Sequence, residues 1–161
     1  MARAATPAIA ALVAAGIDHE VVQYHHDPRN ESFGAEAVVE LAAAGIIAEQ
    51  VFKTLVIALP KGLAVAVVPV PAKLSLKAAA AALGVSKAEM ADPAAAQRSS
   101  GYVLGGISPL GQRKPLPTVV DASALNFERV LCSAGKRGWD VALAPADLIR
   151  ATDAVTAEIT A

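Results

Sequence analysis

The side chain with the clearest chemical potential in this chain is that of Lys53, a single cation at the start of an apolar run that continues to Leu59. A lysine is almost never fully buried without a partner, so at this position it reaches either solvent or a polar cleft. In a cleft, its ammonium group would stabilise negative charge that develops during a reaction.

The second candidate is the loop over residues 105–111, which holds three glycines and a proline. It matches neither the phosphate-binding Walker pattern nor a dinucleotide fingerprint. Its composition predicts unusual backbone dihedrals, with amides free to hold an oxyanion or a terminal phosphate. A tight turn whose glycines only satisfy geometry explains the same composition equally well.

Nucleophiles supplied by the protein are scarce. Cys132 lies in an apolar strand pattern, which is typical of a small buried hydrophobe. Ser108 and Ser133 have no histidine at a suggestive spacing. His25-His26-Asp27 lacks the separation of metal ligands on one face, so we expect neither a metal nor a cofactor. Chemistry here would rest on positioning and electrostatic stabilisation, with water or the substrate supplying the attacking group.

Composition and charge narrow the classes of protein. At 161 residues and 55% hydrophobic, the chain fits one packed domain over residues 1–161. Its net charge of −1 does not suggest a protein that binds nucleic acid over its whole surface, and we expect no DNA partner. Basic residues concentrate at 112–114 and 136–137, so a polyanion would bind one face. No stretch approaches the roughly 18 apolar residues of a membrane span. Residues 1–15 lack a secretory signal pattern, and a single cysteine fits a reducing cytoplasm.

Sequence patterns also predict the elements that position these residues. Apolar runs at 51–59 and 63–70 flank a Pro60-Lys61-Gly62 turn and predict a central hairpin buried on both faces. Further strands are expected at 19–25, 101–104, 118–121, 130–132, 139–143 and 155–159. Helices are expected at 7–15, 34–43, 76–83 and 145–150, with further starts at the capping box Ser86-Lys87-Ala88-Glu89 and at Asp92-Pro93. We place Glu36 and Glu40 on the exposed side of the helix over 34–43.

The order of these elements indicates the fold class. Hairpins outnumber βαβ units, and the helices fall into blocks instead of alternating strictly with strands. This order predicts a single α+β domain with a curved, mixed and largely antiparallel sheet flanked by short helices. A doubly wound nucleotide-binding fold fits the order less well.

A set of segments forms one combined pattern: Val51-Phe52-Lys53-Thr54-Leu55, 65–70, 101–111, 116–119, 121–123 and 133–138. Together these segments resemble the YbaK/EbsC family, free-standing relatives of the editing domain of bacterial prolyl-tRNA synthetases. The resemblance implies a YbaK-like editing-domain fold and hydrolysis of mischarged aminoacyl-tRNA, in this branch cysteine attached to tRNA for proline. It also implies two partners, the 3′ end of aminoacyl-tRNA and a prolyl-tRNA synthetase.

The resemblance further implies a substrate-assisted mechanism. The cysteinyl thiol attacks its own ester carbonyl, forms a cyclic thiolactone and releases the tRNA, which explains why no protein nucleophile stands out. Cysteine and proline side chains are similar in size, so a second hydrolytic site supplies the selectivity that one hydrophobic pocket cannot.

Individual positions carry over from the family pattern. Lys53 matches the functional lysine that anchors the terminal adenosine or the aminoacyl ester, and Gly105 and Pro109 match a Gly-x-x-x-Pro loop at the aminoacyl end. The remaining substrate-binding positions are expected to be Tyr24, Gly106, Ser108, Ser133, Arg137 and Asp140. Of these, Arg137 is assigned to phosphate by its charge.

Alternatives stay open at this point. One is a sister deacylase that removes alanine or serine from tRNA by attack of water. Another is a non-catalytic module that keeps the fold and binds a tRNA end or a nucleotide.

Overall fold

A computed structural model describes residues 5–161. Its helices are α1 (Pro7–Ala14), α2 (Phe33–Ala42), α3 (Leu76–Ala82), α4 (Pro93–Ser100) and α5 (Pro145–Thr152). Its strands are β1 (His19–Gln23), β2 (Phe52–Ala58), β3 (Leu63–Pro69), β4 (Glu89–Met90), β5 (Thr118–Asp121), β6 (Val130–Lys136), β7 (Trp139–Leu143) and β8 (Val155–Ala157). None of the helices in this described part of the chain has both the length and the apolar character needed to cross a bilayer.

Three helix starts that the sequence indicates are confirmed. The side chains of Thr6, Ser75 and Asp92 each accept a hydrogen bond from the backbone amide three residues later, at 3.2, 3.1 and 3.2 Å. Proline follows Thr6 and Asp92 at a position where the helix needs no amide donor.

The strands form two hydrogen-bonded sheets. A five-stranded sheet has the order β4-β2-β3-β5-β8, and a three-stranded sheet has the order β1-β7-β6. Among the strand pairs of residues 5–161, only β3–β5 and β5–β8 are parallel, so the mixed and largely antiparallel character is confirmed. A parallel bridge between Val51 and Leu131 joins the sheets. We call this junction the seam.

The β2–β3 hairpin is buried on both faces, as the sequence predicts. On one face, Phe52, Val65 and Val67 pack in a cluster that includes residues of α1 and α5. On the other face, Ile57 and Ala66 pack in a cluster that includes residues of α3. A third cluster, with Ala37, Leu41, Val51, Leu131 and Ala142, fills the space between α2 and the seam. The seam is therefore packed and can hold side chains from both sheets in fixed positions.

The helix predicted from the capping box at 86–89 is wrong. Glu89 and Met90 instead form β4 and pair antiparallel with Ala58 and Ile57. Because Asp92 already caps α4, too few residues remain between Ser86 and Asp92 for another helix.

The strand predicted at 101–104 is also wrong. Gly101 ends α4 with a φ of +82°, and Tyr102 is buried with its hydroxyl donating to the Leu110 carbonyl at 2.7 Å. Val103 and Leu104 are exposed. The segment therefore bonds within its own loop instead of pairing with a strand.

Candidate active site

A cavity of about 330 Å³ opens between α2, the start of β2 and the β6–β7 hairpin. Its wall includes five of the residues that the sequence singled out, Tyr24, Lys53, Gly105, Ser133 and Asp140. Lys53 comes from the five-stranded sheet, whereas Ser133 and Asp140 come from the three-stranded sheet. The seam thus brings together residues that are far apart in sequence.

Lys53 is the cation of the cavity. It lies opposite Val68 in the β2–β3 register, and it forms no ion pair with a carboxylate of residues 5–161. Burial lowers the pKa of its ammonium group. A partly desolvated cation without an internal anion interacts strongly with an oxygen of a ligand that enters the cavity.

Asp140 is the carboxyl group of the cavity. It is 4% exposed and lies opposite Ser133 in the β6–β7 register. Burial raises its pKa to about 7. Near neutral pH, Asp140 is therefore divided between a form that donates a proton and a form that accepts one.

Tyr24 and Ser133 add neutral hydroxyl groups. Burial and the neighbouring Asp140 charge raise the pKa of Tyr24, so its phenol stays protonated. The Ser133 hydroxyl accepts a hydrogen bond from the Gly135 amide at 3.1 Å, which leaves its own proton free to donate. Both groups can therefore donate to an ester or to a ribose oxygen.

The rim of the cavity includes Phe33, Leu104 and Gly105, whereas Arg137 is not part of the cavity wall but contacts this rim. Gly105 has a φ of +82°, and a β-carbon at this position would come within 2.6 Å of the Phe33 ring. The guanidinium of Arg137 stacks 4.7 Å from the centre of the same ring, and its Nε donates to the Leu104 carbonyl at 2.7 Å. Arg137 thus ties the glycine loop to the start of α2.

The other predicted residues do not line the cavity. Gly106 packs against the backbone of Lys136 and Arg137, where a β-carbon would lie 3.2 Å away. Ser108 is fully buried and its hydroxyl accepts from the Leu110 amide at 3.2 Å. Pro109 is buried beside it. These residues support the loop from behind, and their direct contact with substrate stays a prediction.

The expectation that Glu36 faces solvent is wrong, although Glu40 is exposed as predicted. Glu36 is 9% exposed and accepts hydrogen bonds from His26 Nδ1 at 2.6 Å and from the Asp27 amide at 2.9 Å. Burial opposes its ionisation, but these hydrogen bonds outweigh burial and hold the pKa of Glu36 below its usual value. The bonds fix the 26–27 loop to α2, which carries Phe33 to the rim.

Phe33 and Thr54 are among the cavity-wall residues that sequence reasoning did not single out. The Thr54 Oγ1 atom is buried and has no hydrogen-bond partner among residues 5–161. Because Thr54 directly follows Lys53, the sequence could have indicated that it lines the cavity. No neighbouring residue in the sequence indicates the same for Phe33. Within the same described range, no cluster of three His, Cys, Asp or Glu side chains could hold a metal ion.

Comparison with known proteins identifies the family. A sequence model described as an aminoacyl-tRNA editing domain matches residues 34–151, a range that contains most of the cavity wall. The chain belongs to the aminoacyl-tRNA editing family. The reaction class expected from the sequence, deacylation of aminoacyl-tRNA, is thereby confirmed, and the chain is an enzyme.

Individual relatives of this editing enzyme agree in sequence and fold. This chain is 37% identical over 139 residues to a protein of Enterococcus faecalis whose provisional name is Cys-tRNA(Pro)/Cys-tRNA(Cys) deacylase EbsC. The alignment covers 86% of this chain and 84% of that protein. A solved structure provisionally described as a trans-editing enzyme for prolyl-tRNA synthetase superposes with a TM-score of 0.82 at 26% identity, covering 96% and 95% of the two chains. A structure from work on epitope grafting onto scaffold proteins gives a TM-score of 0.83 at 25% identity, with the same coverage.

Proposed function

We propose that this editing enzyme removes cysteine from tRNA for proline, and that the thiol of the substrate is the attacking group. The observation that carries the proposal is the lack of an activated nucleophile among the described residues of the cavity wall. Ser133 is hydrogen-bonded to an amide and not to a base. Cys132 is fully buried in the core, and burial raises the pKa of its thiol.

The proposed reaction balances without a co-reactant. The cysteinyl sulfur bonds to the ester carbonyl carbon, the bond from that carbon to the ribose oxygen breaks, and the thiol proton ends on the released hydroxyl of the tRNA. The products are a thiolactone, which water opens to cysteine, and the free tRNA.

Each polar group of the cavity has a role in this scheme. The Lys53 ammonium stabilises the negative charge on the oxygens of the tetrahedral intermediate. Asp140 takes the thiol proton and returns it to the leaving oxygen, a task that suits a pKa of about 7. Tyr24 and Ser133 orient the ester and the terminal ribose by donating hydrogen bonds.

The pKa of Asp140 also supports a second candidate, a deacylase for alanyl- or seryl-tRNA. A buried carboxylate that titrates near pH 7 can act as a general base toward water. In that case the ester is cleaved without any group from the amino acid side chain.

The prolyl-tRNA synthetase is the proposed partner and the cytoplasm the proposed compartment. Because the net charge is only −1, we expect the enzyme alone to select weakly among tRNAs. A synthetase bound to the same tRNA would supply that selection.

A substrate panel tests the proposal. Cys-, Ala- and Ser-tRNA(Pro) are incubated with the enzyme, together with Cys-tRNA(Pro) whose sulfur has been methylated. We expect fast ester loss from unmodified Cys-tRNA(Pro) only, because alanine lacks the thiol and methylation blocks it. Equal rates for the cysteine and S-methylcysteine esters would rule out attack by the thiol, and preference for alanine or serine would favour attack by water.

A further inference from the structure

A basic surface lies next to the cavity and has no role in the chemistry above. The chain between Asp92 and Asp121 contains no acidic residue but carries Arg98, Arg113 and Lys114. All three side chains are exposed, and none forms an ion pair with another residue of the range 5–161. We call these three residues the basic face.

The fold holds the basic face together at the end of α4. Arg98 lies in the last turn of that helix. The amides of Arg113 and Lys114 donate to the carbonyls of Ser100 and Ser99 at 2.9 and 3.2 Å. A β-carbon at Gly101 would lie 3.3 Å from the Arg113 Cβ atom, so the stem of Arg113 packs directly on the helix end.

The basic face is continuous with the rim of the cavity. The segment 101–106 connects Gly101, which contacts Arg113, to Gly105 in the cavity wall. Six residues span at most roughly 20 Å. On the other side of this segment, Lys136 and Arg137 are exposed, and Arg137 bonds to the Leu104 carbonyl. Cations therefore flank both sides of the loop that borders the cavity.

We infer that the basic face binds the phosphate backbone of the tRNA acceptor arm as that arm leaves the cavity. The inference rests on the proposed function, because it assumes that the aminoacylated 3′ end of the tRNA occupies the cavity. Unpaired surface cations bind RNA through its phosphates, largely irrespective of sequence and in a salt-dependent way. A site of this kind increases affinity for tRNA without selecting its identity.

The test compares the double variant Arg113→Gln/Lys114→Gln with the wild-type enzyme. Glutamine keeps the Arg113 β-carbon that lies beside Gly101 but removes both charges. The matched control, Lys73→Gln/Lys77→Gln, removes two exposed lysines beside and within α3. The measurements are made at several salt concentrations. They give kcat and KM for aminoacyl-tRNA, kcat and KM for the aminoacyl ester of adenosine, and the Kd for tRNA without an attached amino acid.

We expect the double variant to raise KM for aminoacyl-tRNA and Kd for tRNA by about 5- to 30-fold, with a salt dependence shallower by about 1 to 2 logarithmic units per decade. Its constants for the adenosine ester, which has no acceptor arm, should stay within twofold. An unchanged Kd for tRNA, or an equal effect in the lysine control, would overturn the inference. An unchanged Kd combined with weaker binding to a prolyl-tRNA synthetase would assign the surface to a protein instead.

The binding measurement separates this inference from the proposed function. If neither ester of the wild type is hydrolysed, the proposed function fails. A weaker Kd of the double variant for uncharged tRNA would still support an RNA-binding surface in that case, and an equal Kd would still refute it.

Discussion

The α-carbon of Gly105 rests against the ring of Phe33, so closely that a β-carbon would come within 2.6 Å of two ring atoms. This contact joins the glycine loop to the first residue of α2 and closes one side of the cavity. Position 105 therefore requires glycine for two reasons that do not depend on catalysis: the contact leaves no room for a β-carbon, and a φ of +82° disfavours any other residue.

We therefore expect Gly105→Ala to lower kcat/KM by at least about tenfold and the unfolding free energy by about 1 to 3 kcal/mol. The added methyl group either pushes Phe33 away and opens the rim, or strains the backbone at position 105. Gly45→Ala is the matched control, because Gly45 has a φ of +80° and no atom within 4 Å of an added β-carbon. Thermal unfolding and deacylation assays check both variants. Equal losses in the two would show that the Phe33 contact contributes nothing.

Lys53→Ala should lower kcat/KM by about 10²- to 10³-fold, the usual effect of removing one group that stabilises an oxyanion. The fold should stay intact because Lys53 has no ion-pair partner within residues 5–161. Lys61→Ala, in the exposed turn of the hairpin, removes the same charge and should leave activity unchanged. If circular dichroism shows that the Lys53→Ala variant is unfolded, Lys53 has a structural role instead.

Asp140 should make stability depend on pH. Its pKa of about 7 lies above the value of about 3.9 in an unfolded chain, so the folded state holds the proton more tightly. The resulting stability is complete below about pH 4 and is lost as pH rises through 7, by at most about 4 kcal/mol. Urea unfolding of Asp140→Asn from pH 4 to 8 should lack this loss. If the unfolding free energy of Asp140→Asn falls with pH as steeply as that of the wild type, another group is responsible for the pH dependence.

The same carboxyl group should shape the pH profile of activity. If the carboxylate accepts the thiol proton, kcat/KM for Cys-tRNA(Pro) rises with pH through about 7. We expect Asp140→Asn to lower kcat/KM by about 10²-fold and to remove this inflection. An inflection that persists in the asparagine variant would exclude Asp140 as the proton acceptor.

Thr54→Val should separate stability from activity. Valine matches the shape of threonine but removes the unpaired Oγ1 atom, so the free protein should become more stable by up to about 1 kcal/mol. If substrate supplies the missing partner, KM rises by about tenfold. Thr54→Ser keeps the hydroxyl and should retain a KM near that of the wild type. An unchanged KM in the valine variant would show that this hydroxyl does not contact substrate.

Cys132→Ser should keep its kcat, because the thiol that attacks belongs to the substrate. The variant buries a hydroxyl in an apolar cluster and should lose about 1 to 3 kcal/mol of stability, whereas Cys132→Ala avoids that penalty. Loss of turnover in both folded variants would contradict the substrate-assisted mechanism.

Local patterns allowed much of the fold to be predicted. The β2–β3 hairpin follows from two apolar runs around a turn, and the helices that begin after Thr6, Ser75 and Asp92 follow from side-chain caps. Each depends on neighbours within a few residues. The capping box at 86–89 failed because pairing with β2, a distant segment, decides the conformation of Glu89.

The composition of the site was less predictable. Its charge within an apolar run singled out Lys53, and the family resemblance singled out Ser133 and Asp140. The burial of Glu36 depends on His26 in a different segment, and the position of Phe33 depends on Gly105 and Arg137. Periodicity within one helix carries no information about such partners. It assigned Glu36 to the exposed side for that reason.

The seam at Val51 and Leu131 also has a consequence for how such a site diversifies. Because the lysine belongs to one sheet and the carboxyl group to the other, their separation depends on how the two sheets pack. Substitutions at Leu41, Leu131 and Ala142, which pack at the seam and do not line the cavity, can adjust that separation by fractions of an ångström. Evolution can therefore retune the enzyme for a different aminoacyl group from behind the cavity wall, while every residue that performs the chemistry is kept.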